Sequence, residues 1–466
     1  MTVGAERGGS APSLTARLAA ACAAMTYDSI PARTRDRTKM ILLDTLGAML
    51  SASRPLFPGT QRLSAFVRAE REDGPCVIVG TDLRTSATNA ALMNGYLGYA
   101  MDIESHHGPA VMHAAASVVP AALVTAQQQQ SDGASFLAAI ALGIDVACRV
   151  SLAIGPNDLY ARGFHPTAVG DTFGTAAAAG LLSKLSPKQM ESALGLAANQ
   201  ASGLLAWASD HSEESRPFNP GLAARNGVTA ARLAALGFGA PRAVFDLEAK
   251  YNVFRAWSLN GVGSPGRLLD GFGERFAVDE LIIKRYACCA FLHPALDGLL
   301  SILEDDGVSA DDIVGMVMRF PSSGAPIIDD NPLRSHRAQY ILPVAAVRRG
   351  VAFEDVIFDR SSEEAIRRLA GGTTLVYDEE LDRLYPERYT TVIEVQTRDG
   401  VTHVRRVDFA RGCPENPMDH DEIVEKFRHL AEQRVAAGRA ELILSLVQEM
   451  DKAENVNELV EALSVS

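Results

Sequence analysis

The segment Gly170–Leu182, GDTFGTAAAAGLL, decides the reading of the fold. Spaced glycines can mark a phosphate loop, but no strand precedes these, the order is not GxGxxG, and no GxxxxGK motif occurs in the chain. Gly170 and Gly174 instead stand four apart, so on a helix they share one face and let a second backbone come close. The alanines that follow have the strongest intrinsic preference for helix. The segment therefore predicts a helix pressed tightly against its neighbours.

The same chemistry extends in both directions. From about Leu14 to about Leu269 the chain is rich in Ala, Leu and Gly at helical spacing. RTKMILLDTLGAMLSA and SATNAALMNGYLGYAMDI read as helices, the second with Gly95 and Gly98 as close-packing positions. HAAASVVPAALVTAQQQQ is another, with a kink expected at Pro120. SPKQMESALGLAANQ opens with Ser186 as N-cap and Pro187 in the first turn. Near residue 275 the character changes. DIVGMVMRFP alternates like a strand, and YTTVIEVQTRDGVTHVRRVDFA reads as a hairpin turning at Asp399-Gly400. Two helical stretches lie between them, and amphipathic helix returns after GCPENPMD. The expected fold is mainly α: a large all-helical domain (1–275 and 413–466) with an inserted α+β lid domain (276–412).

Composition excludes several functions. The 466 residues carry a formal charge of −13 without a basic block, against a nucleic-acid partner. No segment reads as a bilayer span; the nearest, GASFLAAIALGIDVACRVSLAIG, is interrupted by Asp145 and Arg149, an i,i+4 pair on a helix. The leading MTVGAERGGSAPS lacks the features of a secretory signal and reads as a disordered lead-in, so a cytoplasmic protein is expected. Six cysteines show neither a disulfide framework nor zinc spacing and are read as reduced thiols.

The chemistry concentrates in Met101–His113, MDIESHHGPAVMH, which holds Asp102, Glu104, His106, His107 and His113 out of ten histidines in the chain. His106 and His107 are neighbours and point apart on any regular element, and no HExxH occurs, so a metal site is not expected. Acid/base work remains. His113 and His165 each precede an Ala-rich helix, whose positive end disfavours imidazolium and keeps a neutral base available. KRYACCAFLHP, with Lys284, Arg285, Cys288, Cys289 and His293, falls where composition changes and could clamp a carboxylate.

Seven segments in order, among them LLDTLGAML, NAALMNGYLGYAMDIESHH, FHPTAVGDTFGTAAAAGLL, KRYACCAFLHPALD and GCPENPMDHDEIVEKF, resemble the 2-methylcitrate dehydratase (MmgE/PrpD) family. That family also contains cis-aconitate decarboxylase and iminodisuccinate epimerase. The resemblance implies a homodimer and a cofactor- and metal-free pocket between helical domain and lid. It places the pocket carboxylate at Asp102, histidines at His113 and His165, the hinge lysine at Lys284 and a lid tyrosine at Tyr340. Three departures stand out. The family's Asp-Phe-Asp-Asp-Thr run is here Asp102-Ile103-Glu104-Ser105-His106, its usual lysine before proline is Arg216, and the decarboxylase branch's histidine is Cys289.

The shared step of the family is proton transfer at carbon beside a carboxylate, where preorganised cations stabilise the developing charge. Lys284 and Arg216 suit that role, His113 and His165 the acid and base, and Asp102 and Tyr340 orient or donate. Glu104, His106 and Cys289 are expected to contact a small anionic di- or tricarboxylate. Dehydration is the expected outcome. Epimerisation or isomerisation is the alternative, decarboxylation is weighed against by Cys289, and a non-catalytic metabolite-binding paralogue is a further reading.

Overall fold

The computed structural model describes residues 11–209, 214–386 and 388–465. Most of the expected lead-in, residues 1–10, lies outside them. The fold is mainly α. Its body is built from the helices Ala32–Ala52, Ala87–Tyr99, Ala114–Gln129, Gly133–Ile154, Pro166–Leu182, Pro187–Gln200 and Phe218–Ala235. Ser186 caps Pro187–Gln200 in a capping box with Gln189, and Ala114–Gln129 runs unbroken through Pro120.

Small residues set the spacing, as the opening segment implies. A Cβ placed on Gly174 would lie 2.3 Å from the Gly143 carbonyl oxygen, and one on Gly98 would lie 2.7 Å from that of Ala116. These backbones touch, so no side chain fits between them.

Gly133–Ile154 is, against the sequence expectation, long and apolar enough to cross a membrane, with a mean hydropathy of 2.0 over its best window. That window is 94% buried inside the protein, which makes it the central helix of the core. Asp145 and Arg149 do pair along it at 2.6 Å, and Arg149 also donates to the Asp270 carbonyl. All six cysteines are free thiols.

The hydrophobic core is in two parts. One joins Leu18–Ala287 to Met418–Leu463; the other spans Tyr286–Val395. The second packs a four-stranded sheet against helices His293–Asp305 and Ala338–Arg348. Strand order is Thr373–Asp378, Ile313–Pro321, Thr391–Thr397, Thr402–Val407; the first pair is parallel and the others antiparallel. The expected hairpin pairs Thr391 with Val407 and turns through Gly400 at φ +87°. Thr373–Asp378 has no counterpart in the sequence reading, because only two of its six residues are buried and its alternation is weak.

Candidate functional site

The Met101–His113 loop is folded by backbone pairing. His106–His107 forms a short antiparallel ladder with Leu281–Ile282, which sets Lys284 two residues beyond the end of that ladder. His107 N–H donates to the Met112 carbonyl at 2.8 Å, closing the loop so that His113 returns beside His106. Asp102 (φ +54°) and Val111 (φ +51°) take left-handed backbone. Aspartate tolerates this; a β-branched valine is a strained exception, the kind of cost retained where a site needs it. His113 and His165 are the N-caps of Ala114–Gln129 and Pro166–Leu182. Their backbone N–H groups are held by Thr167 Oγ1 at 3.2 Å and the Gly203 carbonyl at 2.9 Å.

These elements enclose a cavity of about 60 Å³ lined by Tyr99, Asp102, His106, Val111, His113, Tyr160, His165, Trp207, Lys284, Cys289, Ala290, Phe291, Ile327 and His336. Lys284, with no exposed surface, donates to the Asp102 carboxylate and, at 3.1 Å, to the Asp102 carbonyl. Its ammonium is 4.0 Å from Glu104 Oε1. Arg216 Nη1 is 3.8 Å from Asp102 Oδ1, and its guanidinium lies 4.7 Å from the Tyr99 ring centroid. His113 Nδ1 approaches Glu104 Oε1 to 2.8 Å, a close contact without hydrogen-bond alignment. His113 Nε2 is 3.3 Å from His106 Nδ1.

Burial governs the protonation states. It would raise Asp102, but Lys284 and Arg216 prevail and hold that carboxyl below its ordinary value. Burial raises Glu104 despite Lys284, and the adjacent Asp102 charge adds to the effect. Burial would lower Lys284, yet the two carboxylates keep it charged. The four histidines on the cavity wall, His106, His113, His165 and His336, move down. Burial, then the charges of His113 and Arg216, takes His165 to about 3; burial, against Asp102, takes His336 to about 4. His106 and His113 are lowered by burial and by surrounding positive charge. Burial pushes the Cys289 thiol up to about 12, so it is no thiolate nucleophile near neutrality.

The structure thus brings Asp102, His106, His113, His165, Lys284 and Cys289 to one cavity, with Glu104 and Arg216 directly behind its wall. Tyr340 is a correction. Its hydroxyl donates to the Asp355 carbonyl and accepts from Arg360 N–H at 3.1 Å, so it points into the second core and away from the cavity. The turn just before its helix supplies His336 instead, 4.0 Å from Asp102 Oδ2. The sequence reading passed over His336, Tyr99 and Trp207. Trp207, one of two tryptophans, stands edge-on to His165 at 5.4 Å, and its rarity was the one available signal.

Asp102, Glu104 and His113 bring ligand-capable atoms within 4.8 Å of one another. The Lys284 ammonium already sits against this set, and a divalent ion would have to displace it. A larger cleft of about 710 Å³ lies at the junction of the cores, where Lys426 pairs with Asp44 and Arg348 with Glu363. It does not hold the cluster of buried imidazoles that lines the smaller cavity.

The chain thus joins a mainly α body to a buried pocket in which cations and neutral imidazoles stand side by side. Residues 16–260 match the MmgE/PrpD N-terminal domain and residues 286–452 the MmgE/PrpD C-terminal domain. The chain belongs to the MmgE/PrpD family. It is 27% identical to a cis-aconitate decarboxylase-like protein of Aspergillus oryzae, covering 93% of this chain and 94% of the relative. It is 26% identical to a cis-aconitate decarboxylase of Aspergillus terreus (94% of each) and 27% identical to that of Homo sapiens (97% of this chain, 94% of the relative). These relatives support a lyase and do not single out a dehydratase.

Proposed function

We propose that the protein is a cofactor-independent lyase that decarboxylates an unsaturated polycarboxylate of the cis-aconitate type. The observation that carries this reading is the pairing of two buried cations, Lys284 and Arg216, with a ring of neutral histidines around one enclosed cavity. The relatives' names support the same reaction.

In such a reaction the C–C bond to one carboxylate breaks and carbon dioxide leaves. The electron pair spreads through the adjoining double bond toward a second carboxylate, and a proton is then delivered to carbon. Lys284 and Arg216 stabilise the spread charge, each as a fixed dipole or charge needing no reorganisation. Arginine at position 216 can grip a carboxylate with two parallel bonds, where lysine offers a point charge. His113, flanked by Glu104 and His106, is the proton donor; His165, whose Nδ1 has no partner, is placed to hold a substrate oxygen. Asp102 positions Lys284.

Dehydration, the sequence expectation, is the second reading. It must begin by removing a weakly acidic C–H proton, for which a base near the working pH is best. Histidines lowered to about 3 and 4 are weak bases, so elimination draws less support from this site. The buried Glu104 carboxyl, 2.8 Å from His113 Nδ1 and raised by burial toward neutrality, is the feature that favours it.

Incubation in heavy water with cis-aconitate, citrate and 2-methylcitrate, followed by proton NMR and carbon dioxide release, separates the readings. Decarboxylation gives carbon dioxide and one deuterium in the product. Alkene formation from a hydroxy acid without carbon dioxide replaces it with dehydration. Neither product from any polycarboxylate removes the lyase assignment.

A further inference from the structure

One polar atom on the cavity wall belongs to no step above. Trp207 lines the cavity and is 8% exposed, and its indole N–H is buried with no acceptor among the described residues. Unlike an imidazole, an indole nitrogen can only donate, so no change of tautomer relieves it. A buried donor left unmade is costly, and in a native structure it calls for a specific reason.

The fold holds this donor in place. His165 N–H donates to the Gly203 carbonyl and Leu205 N–H to that of Gly163, each at 2.9 Å, so the two segments run side by side. Trp207 follows at once, on the turn Ala206–Ser209, which Ser209 Oγ closes onto the Ala206 carbonyl at 2.9 Å. Gly203 permits the approach: its φ is +124°, and a Cβ there would lie 2.4 Å from the Ala168 Cβ. The indole meets two rings edge-on, His165 of the helical body at 5.4 Å and His336 of the second core at 6.4 Å. The cations of the site are gathered elsewhere, Lys284 and Arg216 at Asp102. Trp207 offers a donor without charge.

We propose that Trp207 is a substrate-binding residue whose indole N–H donates to a carboxylate of the substrate that Lys284 does not hold; the inference rests on the polycarboxylate reading above. Such a donor sets selectivity. A carboxylate oxygen completes it, whereas an alkyl group in the same place leaves the N–H unpaired in a closed site. Polar groups stranded in this way reject the wrong ligand far more strongly than a missing methylene does. Trp207 thereby distinguishes an acid that carries a further carboxylate from the diacid without it.

Tricarballylate is the probe: it is a saturated tricarboxylate, with no double bond to take up the electrons of a departing carbon dioxide. Titrated into the full chain labelled with nitrogen-15 tryptophan, it is expected to move the Trp207 indole proton downfield. Trp257, the other tryptophan, packs against Phe164 and Phe173 in the helical body and is expected to stay. Either Trp207→Phe or Trp257→Phe assigns the two resonances. Calorimetry of Trp207→Phe gives the second readout, with methylsuccinate, which lacks a terminal carboxylate, and glutarate, which lacks the central one. The variant is expected to bind tricarballylate about tenfold or more weakly, and one of the two diacids as tightly as the wild type does. A variant that weakens all three ligands equally, or none, overturns the proposal, as does a Trp207 resonance that tricarballylate leaves unmoved. Carbon dioxide release from cis-aconitate separates this from the reaction itself. Release with an unmoved Trp207 removes the proposal alone; a moved Trp207 without release upholds the contact and removes the lyase reading.

Discussion

At the scale of single residues, the site depends on keeping imidazoles neutral beside a charged lysine. His165 is 3% exposed and its ring is lowered to about 3 from an ordinary 6.5. A ring whose folded pKa lies below its unfolded one takes up a proton on unfolding as pH falls. Its share of stability is therefore complete above about pH 6.5 and is lost as pH drops toward 3. His165→Asn keeps a good N-cap and removes the titration. Urea unfolding between about pH 4 and 6 is expected to show an acid-side slope smaller by up to about 1.4 kcal/mol per pH unit in the variant. Equal slopes for wild type and variant would mean that the ring is not buried neutral. His113 differs in having a neighbour at each ring nitrogen, Glu104 at Nδ1 and His106 at Nε2.

At the scale of elements, helix contacts are set by glycine. Gly174→Ala gains about 1 kcal/mol in helix propensity. The added Cβ would lie 2.3 Å from the Gly143 oxygen and 2.7 Å from the Ala147 Cβ, and overpacking of this kind costs about 1–3 kcal/mol or more. The clash wins because a backbone oxygen cannot swing aside. Gly174→Ala is expected to lower the denaturation midpoint. Gly438→Ala, on helix Ala437–Gln448 with nothing within 4 Å, is expected to raise the midpoint, stabilising the fold by about 0.4–1 kcal/mol. Equal effects at the two sites would refute the packing argument. The Met101–His113 loop depends on a smaller element, the two-residue ladder that brings His106 to Ile282 and so sets Lys284 beside Asp102.

At the scale of the whole molecule, the cavity walls come from both cores: His113 and His165 from the helical body, Phe291 and His336 from the second core. A space of about 60 Å³ holds about two waters. A tricarboxylate of the proposed kind is larger than that, so its binding is expected to part walls that belong to different cores. A non-reactive polycarboxylate at about 100 times its Kd is expected to stabilise the protein by about 2.7 kcal/mol, read as a single shifted thermal transition. Two transitions of which only one moves would place the ligand within one core.

The sequence by itself determined the α-rich body, the hairpin at Gly400, the helix starts at His113 and His165 and the close-packing glycines, because each follows from local spacing. Pattern resemblance further marked Asp102 and Lys284. Only the tertiary structure decided what stands opposite what. It turned Tyr340 into the second core and set His336 at the cavity. It buried a helix apolar enough for a membrane, and it brought the Tyr389 hydroxyl to His106, 283 residues away. Such placements depend on how helices and ladders dock over long range, and no short-range periodicity encodes that.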